Sequence, residues 1–443
     1  MDMNPSSRNA TPPRVIFLIS PNFGLLDSWL PALWELRKRR PDVWITALFP
    51  KADIVAEIEP AEAMTQLGES VFNEVVFRSR AGFWVRAKSL AHAKELSGKF
   101  RIAHRIIGNM RAVLQRVGTF AATGSMIAFF DAAIRHMMAA LTGQTYVGFD
   151  EVDQNVKAIC FDLHAKTKKD CRDILARFPN TPRFSLLHGL AVADYEIKRG
   201  DYDAGHRTYR TTAYLFSKYE RAAYARNYGL ADAEMKVVGV PRHDPLWIET
   251  VLHHSKSDVP ASWGKYIFVI SRPALGDFFP KGKKREALQH IRRLAHELNR
   301  TVIVRLHPTE RTHADGLYEE VFGKEAYGMQ WIYSSSHPFV LGRNSLFAVT
   351  FYSGVAVDML ALGVPTIQMV DLVSRGKTGA IVEYKKMGLV LGADSYEELK
   401  AHALRIIKDK DAVIRQLKPN YDKFFRPIGK PACIIADDIS KVL

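Results

Sequence analysis

The strongest constraint on the fold is an alternation of short apolar strands with helical patterns, which starts twice along the chain. Arg14 to Ser20 is a nearly continuous apolar run, Leu25 to Arg40 has helical spacing, and Val43 to Phe49 is a second apolar run. Strands that are covered on both faces are apolar throughout, and a strand–helix–strand unit closes as a parallel sheet with a right-handed crossover. The chain therefore opens as a doubly wound α/β domain. Further strands are predicted at Glu74 to Phe77, Tyr146 to Phe149, Phe184 to Leu187, Tyr214 to Phe216 and Lys236 to Gly239.

A second alternation begins after a break near Pro245. Strands are predicted at Tyr266 to Ile270, Thr301 to Leu306, Phe347 to Thr350 and Pro365 to Met369, with helices between them. A chain of 443 residues exceeds one ordinary core, so we predict two Rossmann-like domains with a cleft between them. The predicted division is a disordered leader at 1–13, an N-terminal domain at 14–245, a linker at 246–264, a C-terminal domain at 265–418 and a final helical segment at 419–443 that returns to the N-terminal domain.

The charge balance limits the possible partners. Lys and Arg number 62 against 47 Asp and Glu, a net charge of +15, which favours anionic lipid, phosphate-bearing ligands or nucleic acid. No helix-turn-helix, zinc-finger or RNP-like pattern is present, so we expect no nucleic-acid partner. The uncharged stretch Val117 to Phe130 is shorter than the ~20 residues of a spanning helix. We predict peripheral attachment to an anionic membrane surface, through Val117 to Leu141 and the cluster Arg37 to Arg40.

Cysteine and carboxylate patterns argue against a disulfide framework and against a metal. Cys160, Cys171 and Cys433 are too few and too scattered for either, and the chain starts without a secretory signal pattern, which favours the cytoplasm. The sequence Asp201-Tyr-Asp203 matches an Asp-x-Asp pattern, but flanking glycines favour a turn. We expect neither a metal nor a cofactor. No P-loop or GxGxxG pattern follows the first strand, which weighs against an NTPase or a dehydrogenase.

Polar residues follow the predicted strands of the C-terminal domain. In doubly wound domains, ligands bind at the carboxyl ends of parallel strands. A hydroxyl and a glycine before a helix offer backbone N–H groups to phosphate, cationic side chains complement a diphosphate, and a carboxylate can accept bonds from a ribose. The predicted residues of this phosphate- and ribose-binding site are Ser271, Arg272, Arg305, His307, Tyr352, Ser353, Gly354 and Asp358.

Two carboxylates of the N-terminal domain are candidates for a catalytic base. Asp27 lies beyond the first strand, near a loop that commonly faces the cleft in such folds, and Asp150 ends the predicted strand Tyr146 to Phe149 beside Glu151. A first-turn charge on a helix explains Asp27 equally well, and a solvated carboxylate pair explains Asp150. Both interpretations stay open.

Four short motifs occur in an order that is found in a known group of enzymes. They are His188-Gly189, Gly239-Val-Pro-Arg-His-Asp244, Arg305-Leu-His-Pro308, and Tyr352-Ser-Gly354 followed by Asp358-Met-Leu-Ala-Leu-Gly-Val-Pro365. From about residue 184 onward the chain resembles the CDP-glycerol glycerophosphotransferases of teichoic acid synthesis. Wider kin are the bacterial GT-B capsule transferases for Kdo and polysialic acid. The segment 424–442 resembles the GT-B helix that crosses back to the first domain. Phe351 stands where this family has Asp, and Gly354 where it has a second Ser.

The resemblance implies a GT-B fold and a metal-independent, inverting glycosyltransferase. Its donor would be a nucleotide-activated sugar or polyol, CMP- or CDP-linked, held by the C-terminal domain at the site described above. Its acceptor would be a glycan or lipid-linked glycan of a bacterial surface polysaccharide, held by the N-terminal domain. By resemblance, His188 is a catalytic or acceptor-side group and His307 a donor-phosphate contact. The alternatives are a UDP-sugar transferase or an enzyme similar to UDP-GlcNAc 2-epimerase, and a non-catalytic membrane-associated scaffold.

Overall fold

The computed structural model describes most of the chain, and predictions that fall elsewhere stay predictions. Asp150, the strand Tyr146 to Phe149, the segment Val117 to Leu141 and Asp201 to Asp203 lie outside the described residues, as do residues 1–10 of the leader. The described residues are 11–20, 24–58, 63–79, 84–99, 101–102, 152, 154–163, 169–189, 211–274, 279–307, 310, 316–369 and 384–443.

The first half of the chain forms an eight-stranded sheet in the order β4-β3-β2-β1-β5-β6-β7-β8. Neighbouring strands are parallel, except that β4 pairs antiparallel with β3 at one edge. Its strands are β1 Arg14–Leu18, β2 Trp44–Phe49, β3 Glu74–Arg78, β4 Trp84–Ala87, β5 Val156–Phe161, β6 Arg183–Leu186, β7 Thr211–Leu215 and β8 Met235–Val237.

The second half forms a six-stranded, fully parallel sheet in the order β11-β10-β9-β12-β13-β14. Its strands are β9 Tyr266–Ile270, β10 Val302–Arg305, β11 Trp331–Tyr333, β12 Ser345–Thr350, β13 Thr366–Met369 and β14 Leu391–Ala393. All five residues of β9 are buried, as expected for a central strand with helices on both faces.

Helices connect most of these strands. Residues 90–99 are helical, and the expected linker 246–264 begins within a helix. The further helices are α1 Leu25–Arg39, α2 Ala52–Ala56, α3 Ala63–Val71, α4 Lys169–Ala176, α5 Arg221–Tyr228, α6 Pro245–His254, α7 Lys281–Glu297, α8 Leu317–Phe322, α9 Pro338–Asn344, α10 Val355–Ala361, α11 Tyr396–Lys408, α12 Lys410–Phe425 and α13 Pro431–Ser440. Within the described ranges, none of the helices has the length and apolarity needed to cross a membrane.

The final helix returns to the first sheet, which confirms the predicted crossover. Helix α13 packs along α1, and Arg39 of α1 pairs with Asp437 of α13. Asp438 accepts a hydrogen bond from the Tyr214 hydroxyl of β7, at 3.2 Å. The buried apolar face of α13, which includes Ile435 and Ile439, therefore completes the core of the first half.

A glycine allows the returning chain to pass close to β8. Gly239 has φ +83°, and a Cβ at this position would lie 2.6 Å from Pro427 Cα and 2.8 Å from the Arg426 carbonyl oxygen. The Ile428 amide donates to the Val238 carbonyl at 3.0 Å. Glycine is thus required at position 239 for both the backbone conformation and the space.

Candidate active site

The carboxyl ends of the central strands of the second sheet lie in one row. Arg305 of β10 pairs in register with Ile270 of β9, and Ile270 pairs with Thr350 of β12. The loops that carry Arg272, His307 and Ser353 therefore leave the sheet at the same edge, as predicted for ligand-binding loops of a doubly wound domain.

Arg272 and Tyr352 form a cationic and aromatic pair at this edge. The Arg272 guanidinium lies 4.7 Å from the centroid of the Tyr352 ring, and the Tyr352 hydroxyl donates to the Pro273 carbonyl at 2.9 Å. Arg272 Nε is buried and has no hydrogen-bond partner among the described residues. The pair thus offers a fixed positive charge with an unused donor.

The other predicted donor residues differ in their accessibility. Arg305 Nε donates to the Ser336 carbonyl at 3.0 Å, and the His307 amide donates to Glu310 at 2.9 Å, with both residues partly exposed. Ser353 is 6% exposed and Gly354 is partly exposed at the start of α10.

The position before the Tyr-Ser motif is apolar. Phe351, which directly precedes the Tyr-Ser motif, is fully buried, and its ring centroid lies 5.1 Å from that of Phe279. This position therefore contributes to the core and supplies no carboxylate.

Ser271 belongs to a buried polar network. Its hydroxyl donates to Glu310 Oε1 at 2.8 Å and contacts the Tyr318 hydroxyl, while Lys284 Nζ lies 2.5 Å from the same Glu310 oxygen. Ser271, Lys284 and Glu310 are all at most 7% exposed. Since its hydroxyl is occupied inside the domain, we leave Ser271 out of the proposed donor contacts.

Asp358 is the acceptor of a second buried network. Its Oδ1 accepts from Arg242 Nε at 2.9 Å and lies 2.7 Å from His243 Nε2, while His243 Nδ1 lies 3.0 Å from the Tyr421 hydroxyl. Burial raises the pKa of Asp358, but the Arg242 charge and the His243 hydrogen bond outweigh burial and lower it to about 2. Its carboxylate is committed to these partners, so we also leave Asp358 out of the proposed ribose contact.

Arg242 joins the two halves of the chain. Its Nη1 donates to Ser28 Oγ of α1 at 3.0 Å, and its Nε lies 3.8 Å from Asp27 Oδ2, while its other contacts are with Asp358 of α10. Asp27 Oδ1 also lies 3.4 Å from His337 Nε2. Burial raises the pKa of Asp27, but His337 and Arg242 outweigh it and hold the pKa below its ordinary value. Asp27 is therefore an ionised member of this interdomain contact.

His188 is held by a carboxylate at the carboxyl edge of the first sheet. It follows β6, and its Nδ1 lies 2.5 Å from Oδ2 of Asp162, which follows the neighbouring β5 and is fully buried. Burial lowers the pKa of His188, but the Asp162 charge outweighs burial and raises it above its ordinary value. The Arg242 charge opposes this rise in the pKa.

The arrangement matches a general-base pair. A carboxylate that holds Nδ1 orients the imidazole and stabilises its protonated form, so that proton transfer with a substrate uses Nε2. The His188 side chain is 34% exposed, which leaves it accessible to an acceptor.

Sequence reasoning missed Asp162, Arg242, His243 and His337 as members of this region. Asp162 directly follows an apolar strand, which was the available signal for it. Arg242 and His243 lie inside a quoted motif, but nothing in their spacing pointed to Asp358 as their partner.

Comparisons with known proteins show the fold. No protein-family model matches the chain, and no curated protein matches its sequence. Among solved structures, a variant of the wall teichoic acid polymerase TagF soaked with CDPG is 12% identical, covers 98% of this chain and 90% of its own, and has a TM-score of 0.52. A UDP-N-acetylglucosamine 2-epimerase is 12% identical, with 97% and 94% covered and a TM-score of 0.51. The S. aureus MnaA–UDP structure is 9% identical, with 97% and 95% covered and a TM-score of 0.51. The chain therefore has the two-domain GT-B fold.

Proposed function

We propose that this chain is a metal-independent, inverting glycosyltransferase. It transfers a group from a nucleotide-activated donor, CMP- or CDP-linked, to a glycan or lipid-linked acceptor during synthesis of a bacterial surface polysaccharide. The observation that carries the proposal is the Asp162–His188 pair at the carboxyl edge of the first sheet. Residues 14–245 would hold the acceptor and residues 265–418 the donor.

The proposed reaction is a direct displacement. His188 Nε2 takes the proton of the acceptor hydroxyl as its oxygen attacks the anomeric carbon of the donor, and the bond from that carbon to the nucleotide phosphate breaks. Asp162 stabilises the imidazolium that forms. Because attack and departure occur on opposite sides of the carbon, the configuration inverts.

The leaving phosphate takes the electron pair and needs positive charge. Arg272 supports this role because its guanidinium is fixed over Tyr352 and its Nε has no partner among the described residues. Arg305 and His307 lie at the same carboxyl edge of the sheet and would contact the diphosphate beside Arg272. Such cationic groups stabilise a leaving phosphate without a metal ion.

A thermal-shift panel of CMP, CDP, UDP, GDP and ADP tests the donor. A nucleotide at 100 times its dissociation constant adds about 2.7 kcal/mol of stability, so the correct base stands out. We expect a cytidine nucleotide to give the largest shift, and Arg272→Gln to abolish most of it. UDP-N-acetylglucosamine 2-epimerases share the GT-B fold. If UDP alone raised the melting temperature, and if the chain converted UDP-GlcNAc without an acceptor, we would conclude that it is an epimerase and not a transferase.

Substitution of His188 tests the catalytic assignment. We expect His188→Ala to lower the transfer rate by about 10²–10⁴-fold, with little change in nucleotide affinity, because an acceptor-side base acts on the chemical step. His307→Ala should weaken nucleotide binding as well. Asp162→Asn should lower the rate and move the acid limb of the pH profile to lower pH, because Asp162 raises the pKa of His188.

Asp27→Ala and Asp150→Ala test the two competing carboxylates, with the melting temperature of each variant showing whether it is still folded. If Asp27→Ala or Asp150→Ala is inactive while His188→Ala retains activity, the base is that carboxylate and His188 is structural. Nucleotide binding without turnover by the wild-type protein, with every acceptor tested, would favour the non-catalytic scaffold.

A further inference from the structure

An exposed apolar and cationic surface lies beside the candidate acceptor site. We name it the Tyr219–Phe424 patch. Its rings are Tyr219, which is 43% exposed, and Phe424, which is partly exposed, and its ammonium groups belong to the exposed Lys218 and Lys423. We include in it the segment that follows Phe424, which carries the exposed side chains of Arg426, Ile428 (52% exposed) and Lys430.

The patch is held together by ring contacts. The ring centroids of Tyr219 and Phe424 lie 5.0 Å apart, although the residues belong to opposite halves of the chain. Lys423 Nζ lies 5.0 Å from the centroid of Phe424, and Lys218 Nζ lies 5.4 Å from that of Tyr219. Each ammonium group thus sits beside an aromatic ring at the surface.

The backbone beneath the patch is fixed on both sides. Ser217 caps the turn that carries Tyr219, and Glu220 Oε2 accepts from the Phe216 amide at 2.7 Å. On the other side, the close approach of the Arg426–Pro427 backbone to Gly239 fixes the segment that leads to Ile428. The apolar side chains are therefore presented on a rigid surface.

The charge of the patch is not neutralised by an ion pair within the described ranges. Lys218, Lys423, Arg426 and Lys430 form no ion pair with a carboxylate among the residues that the structure describes, whereas Asp422 nearby pairs with Lys418 at 3.2 Å. A rigid surface of aromatic and aliphatic side chains with unpaired lysines complements an anionic lipid surface. Aromatic rings sit at the headgroup level of a bilayer, and each cation near an anionic leaflet strengthens binding by about fivefold.

The position of the patch relates it to the candidate site. Tyr219 lies in the turn that follows β7, and β7 is the neighbour of β6, which leads to His188. Both segments leave the first sheet at its carboxyl edge. We propose that the Tyr219–Phe424 patch binds an anionic phospholipid surface and so presents His188 to an acceptor that is held in the membrane. The last clause rests on the proposed function, whereas lipid binding itself needs no donor.

A single-stranded nucleic acid fits this surface less well. Stacking of a base needs an open aromatic face. The Tyr219 ring is packed against Phe424, and Lys423 Nζ lies 5.9 Å from the Tyr219 centroid, so this ring is not open for stacking. We therefore commit to lipid and treat a soluble polyanion as an outcome of the test.

Vesicle sedimentation with the full chain tests the proposal. We expect binding to vesicles of phosphatidylcholine with about one third phosphatidylglycerol, weakening with salt, and little binding to phosphatidylcholine alone. Lys218→Gln with Lys423→Gln should weaken it about 25-fold. Tyr219→Ser with Ile428→Ser should also weaken it, but without changing the salt dependence. Lys256→Gln with Lys283→Gln, two exposed lysines outside the patch, carries the same charge change and should have less than about a twofold effect.

Three results would overturn the proposal. The first is that the control substitutions weaken vesicle binding as much as the patch substitutions do, and the second is that the wild-type chain does not bind anionic vesicles. The third is that the patch binds dextran sulfate or single-stranded DNA more tightly than vesicles. Unchanged melting temperatures exclude unfolding as the cause of any loss. Because vesicle binding is measured without donor, its failure leaves the donor panel and the His188 test of transfer unaffected.

Discussion

Replacing Asp358 by Asn tests whether the buried charge network holds the two halves together. The change keeps the shape of the side chain but removes its negative charge, which leaves the buried Arg242 guanidinium with Asp27, 3.8 Å away, as its remaining acidic partner. Breaking a buried ion pair by removing one partner costs about 3–5 kcal/mol. Asn retains part of the hydrogen bonding, so we expect a loss of about 3 kcal/mol at neutral pH.

The pH dependence gives an independent magnitude. The folded pKa of Asp358 is lowered from 3.8 to about 2, chiefly because the Arg242 charge outweighs burial. At 1.36 kcal/mol per unit, this shift stabilises the folded state by about 2 kcal/mol. Because the folded pKa is depressed, the contribution is present above about pH 4 and is lost as the pH falls towards about 2. The variant lacks this acid-sensitive contribution.

Urea unfolding at neutral pH and near pH 3 measures both effects. We expect the stability difference between the wild-type chain and Asp358→Asn to shrink on acidification. Asp422→Asn is the matched control, because Asp422 forms an exposed ion pair with Lys418 four residues earlier, and its loss should cost at most about 0.5 kcal/mol. A neutral-pH loss no larger than that of the control, or a difference that stays constant on acidification, would refute the reasoning.

Three further predictions concern other features. Gly239→Ala should lower the free energy of unfolding in urea by about 2–4 kcal/mol, because the new Cβ would collide with Pro427. The control Gly264→Ala, with φ +58° and no atom within 4 Å of a Cβ, should lower it by about 1–2 kcal/mol, and equal losses would argue against the close approach. Burial raises the pKa of Glu220 to about 8, so its stabilising protonated form is lost as the pH rises through that value. Glu220→Gln should therefore melt higher than the wild-type chain near pH 9 but not near pH 5, and a variant that melts lower near pH 9 would contradict this. Transfer activity should be unchanged by a chelator. If the chelator abolishes activity and manganese or magnesium restores it, the enzyme requires a metal.

The sequence was sufficient to predict the fold where the strands are long and apolar. Tyr266–Ile270 was predicted residue for residue, and β1 and β2 within two residues at either end, because both faces of a central parallel strand are buried. The three-residue strands β11 and β14 carry too little pattern to be predicted. Strand β5 was missed because only the four residues Ala158 to Phe161 form its apolar run, and Asp162 was missed with it.

The sequence predicted only those residues of the site that directly follow strands. The rule for parallel sheets gathered Arg272, Arg305 and Ser353 at one edge, but it could not distinguish a polar side chain that faces outward from one that is used internally. Ser271 is of the second kind, because its partner Glu310 lies 39 residues away. Likewise the pairing of Arg242 with Asp358 spans 116 residues and depends on how the two halves meet, which no local pattern encodes.

The return of α13 to α1 has a consequence for synthesis on the ribosome. Arg39 and its partner Asp437 are separated by 398 residues, which takes roughly 20–80 s to translate at about 5–20 residues per second. The last strand of the first sheet, β8, ends at Val237, so for roughly half of that interval all eight strands have been translated while the surface of α1 that α13 covers stays open to solvent. The half of the molecule that is translated earlier is therefore completed last, and the apolar surface of α1 stays exposed until Ile435 and Ile439 cover it.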